Sequence, residues 1–388
     1  MATDNDRPFR EVRKLFPHTK EVVYFNTASN GPFSTSLCQS IDGYLQSRLA
    51  IKDDTHGAFD TAAELRRHYA ALTGANVREI GLGLNTSFGL NLAAFGLPLK
   101  KGDEILVSDI EFPAVAYTFR SAAETRGLKL KFVPSRNRCF DMESLADSIT
   151  PRSRLLAISW VQFFNGYRND LKALSELCRK HDMYFVVDGI QGMGAEPINL
   201  HRIGVDVFTS GCQKWMLSPQ GCSFFYLSDR VRDQIKPTFM SWLGVDWQQQ
   251  FTDLFRYDLP WFDSARRFEM GYYVVLNQIG MLESARLFRQ LGIRNIRRHN
   301  YALVDHLARY IKRDPYYAIT SSMESRHRSA IFTFTCTDYE LLHRHLIKEK
   351  IILVQREGSI RVAIHLHNNR SDVDRLIGVL RRWSAKRS

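Results

Sequence analysis

The middle of the chain alternates two hydrophobic periodicities. Glu104-Ile105-Leu106-Val107 follows the turn Gly102-Asp103 and reads as a strand, and residues 128–133 alternate apolar and polar positions as another. Residues 154–161 are almost continuously apolar, the pattern of a strand buried on both faces. Leu171, Leu174, Leu177 and Cys178 recur at helical spacing up to His181-Asp182, and residues 184–187 read as the next strand. Residues 205–209 and 222–227 add two more. This alternation predicts a mostly parallel sheet with ligands at the carboxyl ends of its strands. From Met281 to Arg313 the spacing is helical. A strand at 330–335, a helix at 339–348, a strand at 359–364 and a helix at 372–383 then predict a small, separate α+β unit.

Composition narrows the class without naming a chemistry. A chain of 388 residues, 44% apolar and 24% charged, can bury a large core and form two units. No apolar run reaches the length of a membrane span, and the N-terminus lacks the apolar core of a signal peptide. The six cysteines, Cys38, Cys139, Cys178, Cys212, Cys222 and Cys336, show no CxxC spacing. That pattern speaks against a zinc site and a disulfide scaffold, and for reduced thiols in a cytoplasmic protein. The net charge of +12 is spread along the chain, clustering only at its end. It predicts a solvated surface and some positive field for anionic ligands rather than a nucleic-acid stripe.

Two positions carry the candidate chemistry. Residues 184–187 run apolar into Asp188, with Gln191 three positions on. Lys214 sits in the Gly- and Pro-marked stretch from Ser210 to Gly221. A solvated lysine and a helix-capping acid are the ordinary readings of each alone. Together, an acid at a strand end and a lysine in a tight loop suit pyridoxal phosphate: the lysine forms a Schiff base and the acid keeps the pyridine nitrogen protonated.

Five stretches resemble class V, fold-type I pyridoxal phosphate enzymes, the group of cysteine desulfurases, selenocysteine lyases, isopenicillin N epimerase-like proteins and small-molecule aminotransferases. They are Tyr24 to Pro32, Asn85 to Leu92, Asp109 to Pro113, the set Asp188, Gln191 and Lys214, and Arg361 to Asn369 followed by Asp372 to Leu376. The resemblance implies an α/β fold: a large cofactor domain (21–275) with a mostly parallel, seven-stranded-type sheet, behind an N-terminal extension (1–20) and before a small C-terminal α+β domain (276–388). It implies pyridoxal 5'-phosphate as cofactor and assigns roles. Thr86 and Ser87 grip the phosphate at a helix N-terminus, where a plain N-cap is the other reading. Phe112 stacks on the ring, or is simply a core phenylalanine. Asp188 pairs with the ring nitrogen, Gln191 donates to the ring oxygen, and Ser210 and Gln213 complete the cofactor contacts. Asn26 and Arg361 bind the substrate, the arginine taking its α-carboxylate as a bidentate fork. No metal is implied: His365 and His367 read as structural, and His343-Arg344-His345 as a solvated helix face.

The chain also departs from the family pattern. Cysteine desulfurases need a mobile cysteine shortly before the carboxylate-binding arginine, and residues 351–360 contain none. Gln213 stands where histidine commonly precedes the lysine, Gly211 where a hydroxyl is common, and Tyr272 where a threonine often reaches the partner subunit. The expectation is an aminotransferase or C–S lyase acting on a small amino acid, and not a persulfide-forming desulfurase. An epimerase and a non-catalytic protein that keeps the fold are the alternatives. The family implies a homodimer. The aromatic stretch with Trp242, Trp247, Phe251, Phe255, Tyr257 and Trp261 lines a substrate pocket or packs at an interface or in the core.

Overall fold

The computed structural model describes residues 7–52, 56–236, 239–247 and 253–387. Residues 1–6 of the expected extension and Phe251 of the aromatic stretch lie outside them. The first strand, β1 (Val23–Tyr24), belongs to an N-terminal arm. Seven strands then build the large sheet: β2 (Ile80–Gly83), β3 (Glu104–Ser108), β4 (Lys129–Val133), β5 (Ser153–Ser159), β6 (Tyr184–Asp188), β7 (Val207–Gly211) and β8 (Ser223–Leu227). Their order is β2-β8-β7-β6-β5-β3-β4, and all joints are parallel except those of β8, which runs antiparallel to both neighbours.

Strand alternation sorts the side chains into two layers. On one face Phe185, Val187, Phe208 and Phe224 join a core with the helices His56–Thr73 and Val275–Leu291. On the other, Val186, Val207, Phe225 and Leu227 pack under the helices Thr86–Gly96 and Pro113–Arg126. Burial on both faces explains why these strands read as unbroken apolar runs.

The smaller unit is a four-stranded antiparallel sheet, β12-β13-β10-β9, made by β9 (Ala318–Ile319), β10 (Ile331–Thr335), β12 (Val354–Arg356) and β13 (Ser359–Ala363). The helices Ile293–Ile311, Tyr339–Lys348 and Arg370–Ser384 cover it. Beside it, β11 (Ile351–Ile352) pairs in parallel with β1, and Asn26 bridges Ala363. Val23 and Phe25 are buried in this unit's core, so the arm is an edge of the small unit although its sequence precedes the large one.

Three sequence expectations change. The helical stretch 281–313 is two helices, because Gly292 between them takes φ +75, a left-handed conformation that suits glycine. The first of the two, Val275–Leu291, buries Met281, Ala285 and Phe288 in the large unit's core, so the division near residue 276 does not separate the cores. The His343-Arg344-His345 face is also less solvated than its composition suggests. His345 stacks on Trp383 at 5.0 Å, and His343 Nε2 donates to Leu353 O at 3.2 Å.

Candidate active site

The site gathers at the carboxyl ends of β6 and β7. Asp188 ends β6, is buried, and lies level with Thr209 of β7 and Ser159 of β5. Its hydrogen bond is from Ile190 N to Oδ1 at 2.9 Å. Burial pushes its carboxyl up to about 6, against the opposing pull of that amide and of Lys214. Lys214 follows β7 in a turn closed by Leu217 N donating to Lys214 O at 3.1 Å, and Leu217 itself takes a positive φ of 53. A bulky residue in that region stores backbone strain, so the turn is held by its surroundings. Burial lowers the Lys214 amine to about 8; Asp188 opposes this, while Arg361 and Arg356 add to it. Nζ lies 5.3 Å from the centre of the Phe112 ring.

The helix Thr86–Gly96 starts beside this pair. Asn85 caps it, its Oδ1 accepting from Phe88 N at 3.0 Å, so the N-cap is one residue earlier than the hydroxyls. The amides of Thr86 and Ser87 occupy the first turn, where a helix supplies no acceptor of its own. Thr86 Oγ1 accepts from Gly211 N at 2.9 Å, and Thr209 Oγ1 donates to Thr86 O at 3.2 Å, tying helix to strand.

Alternation along β7 decides which neighbours join. Thr209 and Gly211 face the helix; Ser210 faces the other layer, fully buried, and donates to Gly211 O at 3.1 Å. Ser210 is therefore not brought to the Thr86 group, a correction to its expected place. Gln213 is brought there. A Cβ on Gly211 would lie 2.5 Å from Gln213 Oε1 and 3.1 Å from Thr86 Oγ1, so the glutamine fills the space a side chain at position 211 would need. The two departures from the family pattern, Gly211 and Gln213, are thus one local repacking.

Gln191 is fixed from two sides. Trp215 Nε1 donates to its Oε1 at 2.8 Å, and its Nε2 donates to Ala28 O at 3.0 Å, leaving one N–H for a further acceptor. His365 Nε2 donates to Trp215 O at 2.8 Å, and burial holds that imidazole neutral, down to about 3. His365 thereby joins the small unit to the lysine turn. The arm reaches the same turn through Gly31 N, which donates to Gln213 O at 2.8 Å.

Arg361 projects from β13 and is buried. Its Nη1 donates to Phe163 O at 2.6 Å and its Nη2 to Ser29 Oγ at 2.7 Å, while Nε has no partner. Burial and then repulsion by Arg356 work against its charge, which a guanidinium nevertheless keeps. Asn26 Oδ1 is likewise buried without a partner.

Sequence reasoning gave no role to Glu111, the residue before Phe112. Ser159 N donates to it at 3.0 Å and Gln162 Nε2 at 2.8 Å, with Ser159 Oγ on its second oxygen. Burial and then the field of Asp188 raise its carboxyl to about 7, against those hydrogen bonds. Arg66 was also missed. It forks onto buried Glu269 at 2.8 and 2.6 Å, and Tyr273 Oη and Leu82 N complete that carboxylate at 2.6 and 3.0 Å. The partners lie far apart in the chain, so no local pattern signals them. Trp242 and Trp247 pack around Phe59, whereas Phe255 and Tyr257 are almost fully exposed.

A model of the class-V aminotransferase family matches residues 42–376. The chain belongs to that family. Among curated relatives, an uncharacterized aminotransferase, YcbU, of Bacillus subtilis is 23% identical, covering 94% of this chain and 95% of its own. Isopenicillin N epimerase of Streptomyces clavuligerus is 26% identical over 92% and 94%. Among solved structures, the apo cysteine desulfurase of Thermococcus onnurineus superposes with TM-score 0.86 at 21% identity, covering 97% of this chain and 98% of that one. A mutant of C-DES, with glycine covalently linked to its PLP cofactor, gives the same score and identity over 95% and 98%. The fold is fold-type I, and the family's cofactor is pyridoxal 5'-phosphate. The residues fit that group: a buried carboxylate that takes one backbone amide, a lysine beside it, an aromatic face, and a helix N-terminus with unused amides.

Proposed function

We propose that this class-V protein is a pyridoxal phosphate enzyme acting on a small amino acid, of aminotransferase or C–S lyase type. The observation that carries the reading is the meeting of Lys214, Asp188 and the unpartnered Nε of Arg361 at one end of the sheet. Bound there, the cofactor supplies an electron-withdrawing ring that stabilises negative charge at the substrate Cα.

The chain's own residues supply the rest. Thr86, Ser87 and Gln213 hold the phosphate end, the first two with amides of a helix N-terminus. Asp188 keeps the ring nitrogen protonated through a charge-assisted bond, and Gln191 gives its free N–H to the ring oxygen. Phe112 covers one ring face. Lys214 carries the cofactor and afterwards moves the proton at Cα, for which a lowered amine is suited. Arg361 seats the α-carboxylate, with Asn26 beside it. Ser210 supports the turn from the other layer.

Persulfide formation is excluded from the proposal. Residues 351–360 carry no cysteine. Cys336 is buried with its Sγ on Asp338, and Cys212 faces Tyr69, burial raising both thiols to about 12. Exposed Trp242, Phe255, Tyr257, Trp261 and Tyr272 support a homodimer.

The first test is the visible spectrum of the protein beside Lys214→Ala, followed by an amino-acid panel. A yellow band lost on borohydride reduction, and absent from the variant, is expected. Keto acid, sulfide or inverted product then separates transamination, lyase chemistry and epimerisation. A protein that takes up cofactor yet answers no amino acid would overturn the enzyme reading in favour of a non-catalytic binder. A protein-bound persulfide after cysteine treatment would overturn the exclusion.

A further inference from the structure

Arg356 is a charge beside the site with no role in holding the cofactor or the α-carboxylate. In the pairing of β12 with β13, Val354 lies opposite Arg361 and Arg356 opposite Ser359. Opposed residues share a face, as do residues two apart. Val354, Arg356, Ser359 and Arg361 therefore project together, with the two arginines diagonal neighbours about 7–8 Å apart at the backbone. The other face sends Ile360 and Val362 into the small unit's core, so the arginine face is the one turned toward the large unit.

Arg356 is exposed, and its Nη1 donates to the carbonyl of adjacent Gln355 at 3.0 Å. No carboxylate among the described residues pairs with it. Its field reaches Lys214 and Arg361, in both cases as a smaller cause than burial. Its hairpin is anchored. Arg138 Nη2 donates to Glu357 O at 2.7 Å, Asn165 Nδ2 donates to Arg138 O at 2.8 Å, and the Arg138 guanidinium lies over Phe164 at 5.1 Å. Phe163 of that same segment accepts from Arg361. One stretch of the large unit thus holds the Arg361 guanidinium and the hairpin that carries Arg356. Two like charges on one face, neither with a carboxylate, repel each other until anions bind between or beside them. A substrate with only an α-carboxylate satisfies one of them.

We propose that Arg356 reads a second anion on the substrate. The preferred amino acid then has an acidic side chain, a carboxylate or a sulfur oxyacid, with its α-carboxylate on Arg361 and its distal acid on Arg356. The assignment rests on the amino-acid reading above.

The test compares the native holoenzyme with Arg356→Gln and Arg356→Lys. Calorimetry with succinate against butyrate reads anion recognition without any reaction. The cofactor band then reads aspartate against asparagine, glutamate against glutamine, and cysteine sulfinate against cysteine. The native protein is expected to bind each dianion at least about tenfold more tightly than its monoanionic counterpart. Arg356→Gln erases that difference, and Arg356→Lys restores part of it. Equal binding of succinate and butyrate by the native protein, or a preference that survives in Arg356→Gln, overturns the proposal. A band that answers only neutral amino acids overturns it too, while leaving the amino-acid reading intact. A succinate preference lost in Arg356→Gln, with no response to any amino acid, sinks the amino-acid reading and supports the anion site alone.

Discussion

Lys214 and Asp188 each oppose the shift that burial imposes on the other. The amine is lowered to about 8 and the carboxyl raised to about 6. Between about 8 and its ordinary value of 10.5, unfolded Lys214 holds a proton that the folded one has lost, so stability of the cofactor-free protein rises with pH there. Between 3.8 and about 6, folded Asp188 holds a proton that the unfolded one has lost, so stability falls as pH rises through that range. Only neutral lysine attacks an aldehyde. Cofactor uptake by the apo-protein should therefore quicken as pH passes about 8. Asp188→Asn removes the charge that raises the amine, and should move that profile to lower pH; a stopped-flow profile that stays in place would contradict the coupling. Both residues were legible in the sequence because a strand end and a loop lysine are local signals. The wrong layer for Ser210 was not, since it depends on which strand residue faces the helix. Glu111 was overlooked because its partners, Ser159 and Gln162, come from another strand end.

At the scale of elements, the Arg66–Glu269 fork locks the helix His56–Thr73 to β2 through Leu82 N. Both side chains are nearly free of solvent. Arg66→Met leaves a buried carboxylate with only Tyr273 and one amide, and should cost about 3–5 kcal/mol in denaturant unfolding. Joined to Glu269→Leu, the loss should be smaller than the sum of the two single changes. A single loss under ~1 kcal/mol would show that the pair is dispensable. Near the proposed phosphate site, Gly211→Ala presses on Gln213 and Thr86. An overpacking cost of about 1–3 kcal/mol should appear as weaker cofactor binding, recovered in part by Gly211→Ala with Gln213→Ala. Failure of the second change to help would place the strain elsewhere. The elements themselves were largely legible, down to the helix Tyr339–Lys348, because buried strands and amphipathic helices print their period directly. The break at Gly292 was not, since a glycine also occurs inside helices and only its φ reveals the turn.

At the scale of the molecule, the +12 chain exposes aromatic side chains between residues 242 and 272: Phe255 and Tyr257 are 88% and 89% exposed, and Trp242 and Tyr272, stacked on each other, are also exposed. If a second copy covers that surface, Phe255→Asp with Tyr257→Asp should turn a dimer into a monomer by light scattering, with cofactor affinity reduced. A native protein that is monomeric with cofactor bound would rule the dimer out. The two-unit plan was legible from the change of pattern after the large sheet. The crossing of the arm was not, because a two-residue strand has no period to read.

That crossing bears on how the chain is made. Val23 and Tyr24 wait for Ile351 and Ile352, and Asn26 for Ala363, partners that a ribosome delivers long after the arm itself. The seven strands of the large sheet are all synthesised by Leu227, and the helix that covers one face follows by Leu291, so much of that core can close first. Ser29, however, has no guanidinium to accept from until Arg361 has left the exit tunnel. A nascent chain halted before Ile351 would thus hold a nearly complete large unit beside an unpaired, apolar edge strand. It would be a substrate for chaperones before it could be an enzyme.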